Sequence, residues 1–180
     1  AIHLTMQYFY DAIDAEYAGH LTYRGIEGPK DMARHATVAE DVQRAVAGLM
    51  SPLAERKRLL IVGQTGACAG QITAALVRAK AADRFDVRVV GLDPAEKVEV
   101  NAMKAMAARG WDIEYELPMP IEGALNQWRP DMVIALGLES DLSAIVAGDP
   151  IRWALPGKAP GSIETTVSLC DALDEQVTAL

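Results

Sequence analysis

The part of the chain best equipped for chemistry is Leu59-Leu60-Ile61-Val62-Gly63-Gln64-Thr65-Gly66-Ala67-Cys68-Ala69-Gly70-Gln71, an apolar run that passes through a glycine-rich turn into a helix-like segment. A turn of this kind aims backbone N–H groups and a helix N-terminus at one spot, which suits an acceptor oxygen or an anion. The candidate ligand-binding residues are therefore Gly63, Gln64, Thr65, Gly66, Ala67, Cys68, Gly70 and Gln71. A nucleotide-triphosphate loop needs Lys-Ser/Thr after its last glycine to reach phosphate and magnesium, and this turn has neither. A dinucleotide loop of the looser GxxGxxxG kind matches Gly63, Gly66 and Gly70, with Asp93 beyond the next strand as a ribose-binding carboxylate. Cys68 stands beside the helix start, where a thiol's pKa is lowered, although free cysteine more often packs as a small apolar residue.

Other reactive residues are sparse. Cys68 and Cys170 are the only cysteines, in neither a CxxC pair nor a position beside histidine, so neither a disulfide framework nor a zinc knuckle is expected. Glu16 and His20 stand four apart and would share a helix face, but one such pair without a second reads as a solvated contact. No metal and no cofactor is expected. A formal charge of −8 argues against nucleic acid as a partner. The apolar runs, such as Met132 to Leu136, fall far short of the roughly 20 residues that span a bilayer. With no targeting pattern visible, a reducing, cytoplasmic setting is the expectation.

The elements around the turn follow from periodicity. Residues 4–18 and 37–50 carry apolar residues at helical spacing, and Thr37 with Glu40 fits a capping box. Residues 1–57 are thus read as a helical arm. From Arg58 onward, short apolar runs at 58–63, 86–91, 112–116 and 131–136 alternate with helical patterns near 69–82, 97–109, 121–128 and 162–179. The last of these places Ile163, Val167, Cys170, Leu173 and Val177 on one face. That alternation predicts an α/β domain over 58–180: a four-stranded parallel sheet with helices on both faces and strand order near 2-1-3-4.

Taken together, residues 58–180 resemble the low-molecular-weight tyrosine phosphatases and their arsenate reductase relatives. In that family a strand ends in a Cys-x5-Arg phosphate loop; Leu59 to Val62 resemble that strand, and the turn after it has the right length before a helix beginning near Gly70. Val90-Gly91-Leu92-Asp93-Pro94 resembles the family's Ser-Ala-Gly-Thr-x-Pro turn, and Val100 to Ile113 resembles its Met-x-x-x-Gly-Ile-Asp element. Trp128 to Gly137 is similar to the strand carrying Asp-x-Val-Ile-x-Met-Gly, and Trp153 to Lys158 to Trp-Asp-x-Pro-Asp-Pro.

The resemblance implies a catalytic trio, and this chain departs from it at each position. Gly63 stands where the family has its cysteine nucleophile, Ala69 where it has the oxyanion-clamping arginine, and Gly157 where it has the general-acid aspartate. Residues that act as a unit are not rescued by keeping the remainder. The expectation is a phosphatase-like subunit without phosphatase or reductase activity, used in protein binding, regulation or assembly. A small neutral or weakly anionic ligand at the loop is compatible with it. The alternatives are a nucleotide-binding enzyme domain using the 63–70 loop and an arsenate reductase variant acting through Cys68. Family members begin almost directly with the first strand, so the arm, with Tyr8, Phe9, Tyr10, Tyr17 and Tyr23, is the expected contact surface for a protein partner or a second copy.

Overall fold

A computed structural model describes residues 2–13, 19–28, 30–126, 128–142, 149–156 and 161–180. The chain divides into two compact units, Ala1–Glu55 and Arg56–Leu180.

The first unit holds α1 (Ile2–Ala12), the single turn α2 (Asp31–Arg34) and α3 (Val38–Ala54). The helix expected over 4–18 thus stops at Ala12, and 14–18 lie outside the described residues, Glu16 of the Glu16/His20 pair among them. Thr37 does precede α3, but no capping box forms. Its own backbone is already helical (φ −108°, ψ −9°), and its side chain makes no cap hydrogen bond. A true cap needs an extended residue there, so that the hydroxyl can turn back onto the first free N–H groups.

Among its described residues the second unit forms a five-stranded, wholly parallel sheet in the order β3-β2-β1-β4-β5. Its strands are β1 (Lys57–Gly63), β2 (Phe85–Gly91), β3 (Met119–Pro120), β4 (Met132–Leu136) and β5 (Ile151–Trp153), with helices α4 (Ala69–Ala81), α5 (Val100–Ala107), α6 (Ile121–Leu125) and α7 (Ile163–Thr178). The period of two sorts the strands between two cores. Leu59, Ile61, Val87, Val89 and Ile134 face α4, α5 and α7, meeting Ile72, Leu76, Met106, Leu169 and Leu173. Leu60, Val62, Val90, Val133 and Ala135 face the other way, toward Ala124 of α6, Trp128, Leu138 and Leu142. Apolar cover on both faces is why β1 reads as an unbroken apolar run. The Trp128 indole donates to Asp86 (3.0 Å) and lies under the Arg88 guanidinium (4.6 Å), which fastens the chain after α6 to β2.

Three expectations need correction. Residues 112–116 form no strand: the Asp112 carboxylate accepts the Glu114 N–H (2.8 Å), a local turn that competes with sheet pairing, and Tyr115 is 88% exposed. The third strand instead comes later as the two residues of β3, shortened by Pro118 and Pro120, and it sits outside β2 rather than beside β1. Residues 131–136 take the place beside β1, where the Asp131 carboxylate accepts the Arg58 N–H (2.8 Å). The fifth strand, β5, went unread because Ile-Arg-Trp behind Pro150 is too short to show a pattern. On α7 the buried face is Thr166, Leu169, Cys170, Leu173 and Val177, while Val167 is exposed. There a reciprocal cap does form, between Ser162 and Thr165.

Candidate functional site

The glycine loop leaves the carboxyl end of β1 at the point where the chain has gone to β2 on one side and β4 on the other. In open parallel sheets this is the usual place for a ligand crevice. A cavity of about 420 Å³ lies there, lined by Gly63, Gln64, Thr65, Gly66, Cys68, Ala69 and Gly70 from the loop, and by Glu99, Leu136, Gly137 and Leu155.

The loop is held by its carbonyls. Leu92 N–H donates to Gly63 O (3.0 Å), Asp93 to Gln64 O (2.9 Å), Ala95 to Thr65 O (3.1 Å) and Glu99 to Ala67 O (3.0 Å). From the other side the Gln71 amide donates to Gly66 O (3.0 Å). Among the described residues no acceptor meets the N–H of Gln64, Thr65, Gly66, Cys68 or Ala69, so the donors around the cavity stay free for an occupant.

The glycines differ in what they do. Gly66 has φ +66°, and a Cβ there would lie 3.0 Å from Gly91 N. Gly70 lets α4 approach β2, since a Cβ would meet Val89 at 2.7 Å. Gly63 is under neither constraint: the nearest atom to an added Cβ is Gly66 N at 3.7 Å, an ordinary contact. A side chain at 63 would thus point across the loop toward its donors, with room to stand.

Of the residues expected at the site, Gly63, Gln64, Thr65, Gly66, Cys68 and Gly70 line the cavity, whereas Ala67 and Gln71 do not. Ala67 is buried, and Gln71 is the brace just described. Asp93 is exposed, does not line the cavity, and contributes its N–H to the loop's support. The sequence reading missed Glu99, Leu136, Gly137 and Leu155. Leu136, Gly137 and Leu155 fall inside segments already matched to the phosphatase pattern, so a signal existed for them. Glu99 had none: it is the half-buried residue ahead of α5, extended and without a side-chain cap of its own. Gly157 and Lys158 lie outside the described residues. Among the described residues no cluster of three metal-ligating side chains occurs, and no helix is long and apolar enough to cross a membrane.

Cys68 is buried, and its pKa is pushed up to about 12, first by loss of solvent, then by the Glu99 carboxylate, which also accepts its hydrogen bond. These opposing effects outweigh the helix N-terminus that was expected to lower it. The thiol is therefore protonated at neutral pH. Because the folded value exceeds the unfolded one, the associated stability is complete below the ordinary thiol pKa of 9 and is lost as pH rises toward 12. Urea midpoints should fall above pH 9, and Cys68→Ser should flatten that fall. A midpoint unchanged to pH 11 in the native protein would contradict the assignment.

Neither a family model nor a curated relative matches the sequence. By structure, the chain has the fold of the low-molecular-weight phosphatases and arsenate reductases. An arsenate reductase in its phosphate-binding state superposes with a TM-score of 0.61 at 24% identity, over 68% of this chain and 95% of that one. Wzb of Vibrio vulnificus, bound to benzylphosphonate, gives 0.57 at 14%, over 68% and 95%. A thioredoxin-dependent arsenate reductase of Corynebacterium glutamicum gives 0.53 at 19%, over 82% of this chain and 77% of that one. The 82% of this chain is about 148 of 180 residues, more than the 125 of Arg56–Leu180, so the match runs into the helical unit. The expectation that structures of this fold start at the first strand therefore does not hold for all of them.

Proposed function

We propose that this chain is a non-catalytic protein of phosphatase fold that works by binding: a small ligand at the glycine loop, and another protein chain through its helical unit, as a regulatory or assembly subunit. The observation that carries the reading is Gly63. It stands at the end of β1 facing a loop of free donors, with space for the nucleophile that the fold's enzymes carry there, while the one thiol lining the cavity, Cys68, is buried and protonated. A thiol in that state is a poor nucleophile.

The cavity also favours a particular kind of occupant. Among its described lining residues the one charged group is Glu99, and no arginine offers a planar fork to a tetrahedral oxyanion. A dianion such as phosphate or arsenate meets a like charge on the wall. A neutral or weakly charged molecule, giving acceptor oxygens to the loop N–H groups and apolar surface to Leu136 and Leu155, meets none.

Two measurements test this. Turnover of an aryl phosphate, and of arsenate with a thiol reductant, should be absent and identical in the native protein and in Cys68→Ser; turnover abolished by that substitution would overturn the reading. NAD or NADP at millimolar concentration should leave the melting temperature unchanged, whereas a saturable rise would favour a dinucleotide enzyme.

A further inference from the structure

The cavity at the glycine loop has two ends of opposite electrostatic character. One is made by the N–H groups of Gln64, Thr65, Gly66, Cys68 and Ala69, which meet no acceptor among the described residues, at the start of the 13-residue helix α4. Backbone donors and a helix N-terminus together favour a full negative charge over a neutral carbonyl. The other end is the Glu99 carboxylate, the one charged group among the described lining residues. It accepts the Cys68 thiol, and the Glu99 N–H donates to Ala67 O (3.0 Å), so its main chain and its side chain both reach the loop. A carboxylate has room for several donors, and no lysine or arginine among the described lining residues takes the remaining places. They are open to a cation carried by the ligand.

Each end repels what the other attracts. A simple anion on the loop meets the charge of Glu99 at short range, and a simple cation on Glu99 meets the positive end of α4. A molecule carrying both charges meets neither penalty. The two ends are close together, because the Cys68 N–H and the thiol that reaches Glu99 belong to one residue, which puts donor and carboxylate within about 7 Å. An α-amino acid, whose ammonium and carboxylate share one carbon, spans that gap with a hydrogen bond of about 3 Å at each end. Its side chain then meets Leu136 and Leu155, and among the described lining residues it finds no second charged group to pair a charge of its own. At about 420 Å³ the cavity is of the size that takes a small molecule.

We propose that the loop cavity binds a free α-amino acid with an apolar side chain, its carboxylate on the loop N–H groups, its ammonium on Glu99 and its side chain against Leu136 and Leu155. The proposal rests on the reading of the loop as a ligand site and names the class of ligand. L-leucine titrated into the full chain in a calorimeter should bind with a dissociation constant below about 1 mM. Isocaproate, which lacks the ammonium, leucinamide, which lacks the carboxylate, and glycine, which lacks the side chain, should each bind at least about 10-fold more weakly. Glu99→Gln should weaken L-leucine at least about 10-fold yet tighten isocaproate, because the repulsion leaves with the charge; a merely structural role for Glu99 would move both in the same direction. The ligand series on the native protein decides the matter even if that variant misfolds. L-leucine without saturable binding up to about 10 mM overturns the proposal. So does isocaproate or leucinamide binding as tightly as L-leucine, although the loop then remains a ligand site and only the paired charges are wrong. Failure of the underlying reading shows separately, as phosphatase or reductase turnover that depends on Cys68.

Discussion

A cysteine placed at position 63 is expected to react with iodoacetamide at pH 7 at least about 100-fold faster than Cys68. A Cβ at that position would lie 3.7 Å from Gly66 N, one of the loop's free donors, and such donors at a helix start lower a thiol's pKa toward neutrality. With its pKa near 12, Cys68 has roughly one thiolate in 10⁵ at pH 7, whereas a loop-held thiolate would be about half formed. The lower basicity of the new thiolate costs it about two orders of magnitude in nucleophilicity, which leaves two to three in its favour. Adding Ala69→Arg should bring measurable phosphate binding, read by calorimetry, where the native protein shows none, because the fork restores a bidentate clamp. Equal alkylation rates at 63 and 68 would mean that the loop donors do not act on position 63, and the account of the site would fail with them.

Gly91→Ala is expected to destabilise the α/β unit by on the order of 3 kcal/mol, seen as a lower urea midpoint at unchanged slope. A Cβ there would lie 2.7 Å from both the carbonyl carbon and oxygen of Thr65 and 2.9 Å from the Pro94 Cα, all backbone atoms that cannot swing aside. Gly63→Ala is the matched control. Its Cβ has 3.7 Å to the nearest atom, so the change should stay within about 0.5 kcal/mol. If the two substitutions cost the same, the close crossing of loop and strand is not as described.

Much of this was legible in the chain itself, for a physical reason. The central strands β1, β2 and β4 are buried on both faces, so they announce themselves as apolar runs, and the crossover helices carry their own period. The edges were not legible. β3 and β5 span two and three residues and owe their pairing to neighbours that no local pattern encodes, and Asp112 turned an apparent strand into a turn through a side-chain hydrogen bond. At the site the glycines marked the loop, but spacing could not separate Gly63, which has room, from Gly66 and Gly70, which have none. Glu99 was invisible because its importance is wholly tertiary. The carboxylate that holds the Cys68 proton in place comes from 31 residues downstream.

The hydrogen bonds from Leu92, Asp93, Ala95 and Glu99 to the loop carbonyls have a wider meaning for this architecture. Four of the five bonds to the loop carbonyls are made by main chain and the fifth by the Gln71 amide, so the shape of the mouth owes nothing to whichever side chains occupy 63 and 69. Reactivity and foldedness are in this sense separately adjustable. The side chains at the front can change while the rear goes on holding the same curve.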